Sequence, residues 1–230
     1  MFWWAEPARG RRFQSDCFCL ECFMPVVPRR RLLLASAAVV AVPSWLTPAL
    51  AQGPALRPTP RQTEGPFYPV SLPADSDADL LRNGQVVYGQ GQPAWVEGTV
   101  TDLAGVPVSG AVVEIWQCDH QGHYHHPGDG NRADPAFQGF GRVSVGRDGR
   151  YRFRTLKPVP YAGRTPHIHV KVRLERRELL TTQLYVAGDP GNERDGIWRR
   201  LDEQARAAVT VPFTPGSDGL RALFPIAVQA

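Results

Sequence analysis

From residue 94 onward the chain is a succession of short runs that alternate apolar and polar residues, broken by Gly, Pro, Asp or Asn. Residues 95–101, 112–117, 140–145, 151–155, 167–174, 179–186, 208–213 and 223–228 all have this form. A period of two marks a strand with one face on a core. About eight such strands with turn signals between them predict an all-β sandwich or barrel. The 22 glycines and 22 prolines among 230 residues supply those turns. Asp148-Gly149, between two of the runs, predicts a two-residue hairpin. Residues 197–206 predict one short helix, and no internal repeat or second domain is visible. At 43% apolar and 21% charged, the chain can bury a core.

The formal net charge of +4 misleads, because it is concentrated at one end. Six of the 26 basic residues and three of the 22 acidic ones lie in residues 1–51, leaving 20 against 19 for the rest. That balance gives the body no electrostatic case for nucleic acid or an anionic membrane. Residues 1–51 read as an export signal. Arg29-Arg30-Arg31 opens an apolar run that closes with Ala49-Leu50-Ala51, which predicts cleavage before Gln52. The paired arginines resemble a twin-arginine signal, which would carry a folded protein to the periplasm or outside. Pro43 and Pro48 interrupt the apolar run and argue against a stable membrane span. Residues 1–23 precede an ordinary signal start at Met24 and read as an upstream mis-start. Cys17, Cys19 and Cys22 fall in this leader, and only Cys118 falls in the body, so no internal disulfide is expected. Residues 52–93 read as an extended, Pro-rich lead-in followed by turn-rich loops, and residues 94–230 as the sandwich domain.

One strand run carries chemistry. His167 and His169 are two residues apart, so on a strand they point to the same face. Tyr161 and Arg164 stand just before them, and Tyr124 sits in a loop after the second strand run, flanked by His123, His125 and His126. Tyrosinate is a hard anionic donor. With a free pKa of about 10, a phenol stays deprotonated at neutral pH only beside a strong Lewis acid. Two phenolates and two imidazoles suit a ferric ion better than zinc, which favours His, Cys and carboxylate. The plainer reading makes His167 and His169 satisfied residues on a half-buried strand and the tyrosines loop anchors. It makes Arg164 a surface charge and Gln183 a strand amide. Phe67 and Trp116 read as core, Cys118 as a small buried apolar residue, and the three histidines around Tyr124 as solvent-exposed loop residues rather than ligands.

Several short pieces together resemble the intradiol ring-cleavage dioxygenases, the family of protocatechuate 3,4-dioxygenase and catechol 1,2-dioxygenase. They run in order from 63–68 (TEGPFY) through 98–102 (GTVTD), 107–117 (PVSGAVVEIWQ), 122–124 (GHY), 160–161 (PY), 164–169 (RTPHIH) and 182–183 (TQ) to 188–195 (GDPGNERD). The resemblance implies a β-sandwich whose long loops form a metal site. It implies a non-haem Fe(III) held by Tyr124, Tyr161, His167 and His169. A catechol-type substrate would bind as a dianion in place of the Tyr161 phenolate and react with O2 to a cis,cis-muconate-type product. Arg164 would stabilise negative charge on the ring, and Gln183 would sit beside a ligand histidine. Catechol, protocatechuate, hydroxyquinol and chlorocatechols all remain open as substrates. Only five residues separate Tyr161 from His167, where the better-known members of the family carry a longer insert that walls the site, so the resemblance implies an open pocket here. Two other readings stand beside this one. The first is an exported sandwich that binds metal or carbohydrate without catalysis; Arg164 and Gln183 argue against it, since a storage site needs neither. The second is a copper or zinc enzyme built on the histidines around Tyr124.

Overall fold

The computed structural model describes residues 56–230. The expected export signal over 1–51 and its three cysteines lie outside the described residues, as does the start of the lead-in. Among the described residues, no helix is long and apolar enough to cross a membrane.

A small hairpin comes first, β1 (Arg82–Asn83) and β2 (Val86–Val87), turning at Gly84 with φ +59°. The long strands follow: β3 (Pro93–Thr101), β4 (Val112–Trp116), β5 (Phe140–Ser144), β6 (Arg150–Leu156), β7 (His167–Leu174) and β8 (Arg177–Val186). One helix, α1 (Glu203–Val209), precedes β9 (Thr210–Val211), β10 (Thr214–Gly216), β11 (Gly219–Leu223) and β12 (Ile226–Ala227). In the first sheet, β3 pairs antiparallel with β6 and parallel with β11 and β12, and β10 borders β11. The second sheet has the order β5-β4-β7-β8-β9. Val96, Val100 and Phe153 from the first sheet share one buried cluster with Val113, Ile115, Ile168, Val170 and Leu184 from the second. The two sheets therefore pack face to face as the expected sandwich.

Four local expectations are corrected. Residues 140–145 and 151–155 do not form a hairpin across Asp148-Gly149. β5 pairs with β4 in the second sheet and β6 with β3 in the first, so the connection crosses between layers. The turn itself is present, with Gly149 at φ +68° and its N–H donating to Gly146 O. A turn dipeptide reverses the chain but does not choose the partner strand. The helix expected over 197–206 is displaced to α1, capped by the Asp202 carboxylate, which accepts from Ala205 N at 2.7 Å. That helix consumes the start of the strand expected over 208–213, leaving only β9. The strand expected over 223–228 breaks at Phe224-Pro225 into β11 and β12, because proline has no N–H for the ladder.

A fifth correction sets up the site. β7 is not half-buried: its first six residues, His167 to Val172, are buried on both faces. Ile168, Val170 and Val172 face the sandwich core. The opposite face, with His167, His169 and Lys171, is covered by loops. The lead-in runs along β8, where Gln62 N donates to Thr181 O and the Gln62 amide to Gln183 O. Gln183 returns a bond from Nε2 to Thr63 O at 2.9 Å.

Candidate metal centre

β7 starts with His167, and its register sets His169 beside Trp116 on β4 and Gln183 on β8. Tyr124 comes from the loop 117–139. Asp119 shapes that loop, accepting from Gln121 N and His123 N through Oδ1 and from Asp134 N through Oδ2. The Tyr124 N–H is itself bound by Asp129 Oδ2 at 2.8 Å. Tyr161 comes from the loop between β6 and β7. That loop reverses at Ala162 and Gly163, with φ +43° and +78°, and closes with Arg164 N donating to Tyr161 O at 2.7 Å. Two consecutive positive φ values make the mirror-image turn that brings two side chains back to back. The five-residue spacing is thus a tight turn that delivers Tyr161 and Arg164 together.

The four rings close a circle. Centroids are 5.1 Å apart for Tyr124–Tyr161, 5.3 Å for Tyr161–His167, 4.8 Å for His167–His169 and 6.3 Å for Tyr124–His169. His167 Nδ1 lies 2.7 Å from Thr165 O, which can only accept, so Nδ1 carries the proton and Nε2 a lone pair. That lone pair faces His169 Nε2 at 3.2 Å. Burial pushes His167 down to about 4 and His169 well below the ordinary value, so both imidazoles are neutral at neutral pH and could donate to a metal. Burial also pushes both phenols up, with the neighbouring Tyr124 hydroxyl and then the Arg164 cation pulling Tyr161 back down. The Tyr124 hydroxyl is buried and has no hydrogen-bond partner. An orphaned phenol beside two converging imidazole nitrogens fits a strongly Lewis-acidic cation, which would take the phenols as phenolates.

Arg164 is held in place. Its Nε donates to Asp195 Oδ2 at 2.6 Å and its Nη2 to Gln183 Oε1 at 2.7 Å. Asp195 is fully buried and also accepts from Thr165 N, Ile197 N and Trp198 N. Burial alone would raise its pKa, but the guanidinium and the backbone donors outweigh burial and hold it below the ordinary carboxylate value. Gln183 Oε1 also accepts from Tyr185 Oη at 3.0 Å. Tyr161 and Arg164 line a cleft of about 440 Å³ together with Thr165, Asp189, Gly191 and Arg194. Phe67 and Trp116 are not part of the main core. Phe67 stacks on Tyr124 at 4.7 Å, and Trp116 lies parallel to His169 at 4.8 Å and 8°.

Residues 63–210 match the family profile described as Dioxygenase, which is well over half of the chain. The chain is 34% identical over 182 residues to a hydroxyquinol 1,2-dioxygenase of Corynebacterium glutamicum, covering 67% of this chain and 56% of that one. It is 36% identical over 166 residues to the protocatechuate 3,4-dioxygenase beta chain of Burkholderia cepacia, covering 67% and 70%. The chain belongs to the intradiol ring-cleavage dioxygenase family. It spans little more than half the length of the Corynebacterium relative. Its fold matches the dioxygenase domain of a dioxygenase–carbohydrate-binding protein fusion from Streptomyces sp. SirexAA-E, with a TM-score of 0.60 and 32% identity over 74% of this chain and 97% of that one.

All six site residues expected from the family resemblance meet in one place. The extra histidines do not join them. His123 Nδ1 lies 3.5 Å from Asp129, His125 Nε2 meets Phe137 O at 2.5 Å, and His126 Nδ1 accepts from Gly128 N. His125 is exposed and His123 and His126 are half-buried, as loop residues of this kind are expected to be, and their contacts stay within the loop that carries Tyr124. Among the described residues, no three His, Cys, Asp or Glu side chains gather as a ligand set. The copper or zinc reading therefore finds no cluster around Tyr124. Sequence reasoning passed over Asp195, Tyr185 and Lys171. Asp195 closes the 188–195 piece of the family resemblance, and that piece was its only signal.

Proposed function

We propose that this protein is a non-haem Fe(III) intradiol dioxygenase, cleaving a catechol-type ring between its two hydroxylated carbons with O2. The observation that carries this reading is the closed circle of two phenols and two imidazoles, with an orphaned Tyr124 hydroxyl inside it. A ferric ion bound there would supply Lewis-acid activation of the substrate. The residues do the rest. Tyr124 is 3% exposed, whereas Tyr161 lines the cleft. Held as a phenolate by that ion, Tyr161 would be the oxygen placed to take a proton from an incoming catechol hydroxyl. Arg164, locked by Asp195 and Gln183, presents a fixed cation to negative charge developing on the ring. Gln183 has all its polar atoms engaged, so its amide is oriented before substrate arrives. Phe67 and Trp116 close the buried side and keep water from the donors.

The test is metal analysis with visible spectroscopy and oxygen uptake. Purified protein should hold iron and show the red-brown absorption of tyrosinate bound to ferric iron. It should consume O2 with at least one of catechol, protocatechuate or hydroxyquinol and release a ring-opened dicarboxylic acid. A colourless protein holding stoichiometric zinc or copper would reject the reading. The leader supports a companion proposal, export through a twin-arginine-type route. Amino-terminal sequencing of exported protein should begin at Gln52.

A further inference from the structure

His169 lacks something that His167 has. The His167 Nδ1–H is anchored on Thr165 O, but His169 Nδ1 is buried without a partner. A metal-bound imidazole ordinarily has its second nitrogen held by an outer hydrogen bond, which fixes the plane of the ring. In His169 that plane is fixed by packing. Trp116 lies flat on it, and Gly65 passes so close that a Cβ there would sit 3.2 Å from His169 Cε1.

Both contacts converge on one buried charge. Lys171 lies two residues beyond His169 on the same face of β7, and its side chain is 4% exposed. Its Nζ pairs with Glu64 and lies 3.8 Å from Glu178. The same ammonium sits 3.8 Å from the Tyr68 ring centroid and 5.8 Å from that of Trp116. Tyr68 packs edge-on against Trp116 at 5.0 Å, and its hydroxyl donates to Glu114 Oε2 at 2.9 Å. Glu64, Gly65, Phe67 and Tyr68 all belong to the segment 62–69 that covers this face.

We infer that Lys171 is a positioning residue for His169. By ion pairing and by cation–ring attraction it clamps segment 62–69 and Trp116 onto the imidazole. That clamp takes the place of the missing outer hydrogen bond. The inference rests on the ligand role of His169 proposed above.

The test is Lys171→Met in the full chain, with Lys171→Arg as rescue. Removing the ammonium leaves Glu64 and Glu178, 43% and 39% exposed, free to turn to water, so the fold should survive. Amide hydrogen exchange in 62–69 should rise about tenfold, while exchange in β3 and β6 stays at wild-type rates. Loss of bound iron to a chelator should also run about tenfold faster, the usual scale for removing an outer support, and Lys171→Arg should restore both. If Lys171→Met does not fold, Glu64→Gln gives the same readouts at smaller amplitude, because Lys171 keeps its contact with the Tyr68 ring. Unchanged exchange in 62–69 overturns the clamp. Faster exchange with unchanged iron release overturns its link to His169. Wild-type protein that binds no iron would sink the proposed function instead, and the exchange comparison would still report on the clamp.

Discussion

The two sheets carry polar side chains on their outer faces, and the faces behave differently. On the first sheet Glu97, Arg150, Arg152, Arg154 and Arg221 stand in or near solvent; Arg152 and Arg221 pair with Glu97, Arg154 with Asp79 and Arg150 with Asp148. On the second sheet His167, His169, Lys171, Thr181, Gln183 and Tyr185 occupy the same kind of position and are all buried. Both sets follow the same alternation, and only the cover differs. A solvated polar residue can find water, whereas a covered one must find a partner or lose about 1–3 kcal/mol. Where the cover leaves the Tyr124 phenol unpartnered beside two imidazole rings, a ligand is the missing partner. Cover converts an ordinary polar strand face into a site.

The sharpest way to break this comparison is to separate function from stability between the covered site and the sandwich core. Tyr124→Phe removes the orphaned hydroxyl from the loop that covers the second sheet. Turnover should fall by about 100-fold or more, since one of the anionic donors is lost. Metal-free stability should change by less than about 1 kcal/mol, because no hydrogen bond is broken. Phe153→Ala, on the core side of the first sheet and fully buried, should do the reverse. It should cost about 3–5 kcal/mol in urea unfolding, while the protein that remains folded keeps its visible band. A Tyr124→Phe protein with full turnover would remove the phenol from the site.

Asp195→Asn comes next in size. It leaves the Arg164 guanidinium without its carboxylate in a mostly buried position, so a loss of about 3 kcal/mol is expected, with a fall in turnover at unchanged iron content. Its pH dependence has a definite sign. The folded-state pKa of Asp195 is depressed. Its stabilising contribution is therefore complete above the ordinary carboxylate pKa and is lost as pH falls through the lower folded value. Arg164, pushed up by Asp195 against the opposing effect of burial, stays charged throughout. Metal-free wild type should lose more stability than Asp195→Asn between neutral pH and pH ~3. Parallel acid profiles for the two proteins would show that the pair does not couple to folding.

How much of this was legible follows from what period-two patterning encodes. It places residues on faces, so the core side of β3, β6 and β7 and the shared face of His167 and His169 were readable from spacing. It does not encode which sheet a strand joins. β5 and β6, adjacent in sequence with a turn dipeptide between them, lie in different layers. Nor does it encode cover. Lys171 reads as an outward, solvated lysine, and Asp195 as one more charge in an acidic loop; only tertiary packing buries them. Phe67 and Trp116 are apolar enough for either core cluster, and composition cannot tell a sandwich interior from the wall of a metal pocket. Tyr124 and Tyr161 were legible as hard donors in loops beside the histidine strand, but that they converge on it, and the roles of Arg164 and Gln183, came from motif resemblance, because periodicity does not say where a loop folds or which strand amide is used.

The smallest expected effect tests the solvated face. Arg152 lies with its guanidinium carbon 3.6 Å over the Trp95 ring and its Nε 3.3 Å from Glu97. Its side chain is 47% exposed, so both attractions are screened by water. Glu97 keeps a second partner in Arg221 when Arg152 is removed. Arg152→Ala should therefore cost less than about 1 kcal/mol and leave oxygen uptake at the wild-type rate. A tenfold loss of turnover in this variant would mean that the first sheet's face reaches the donors through the core. The distinction between a covered and an uncovered polar face would then no longer account for where the chemistry sits.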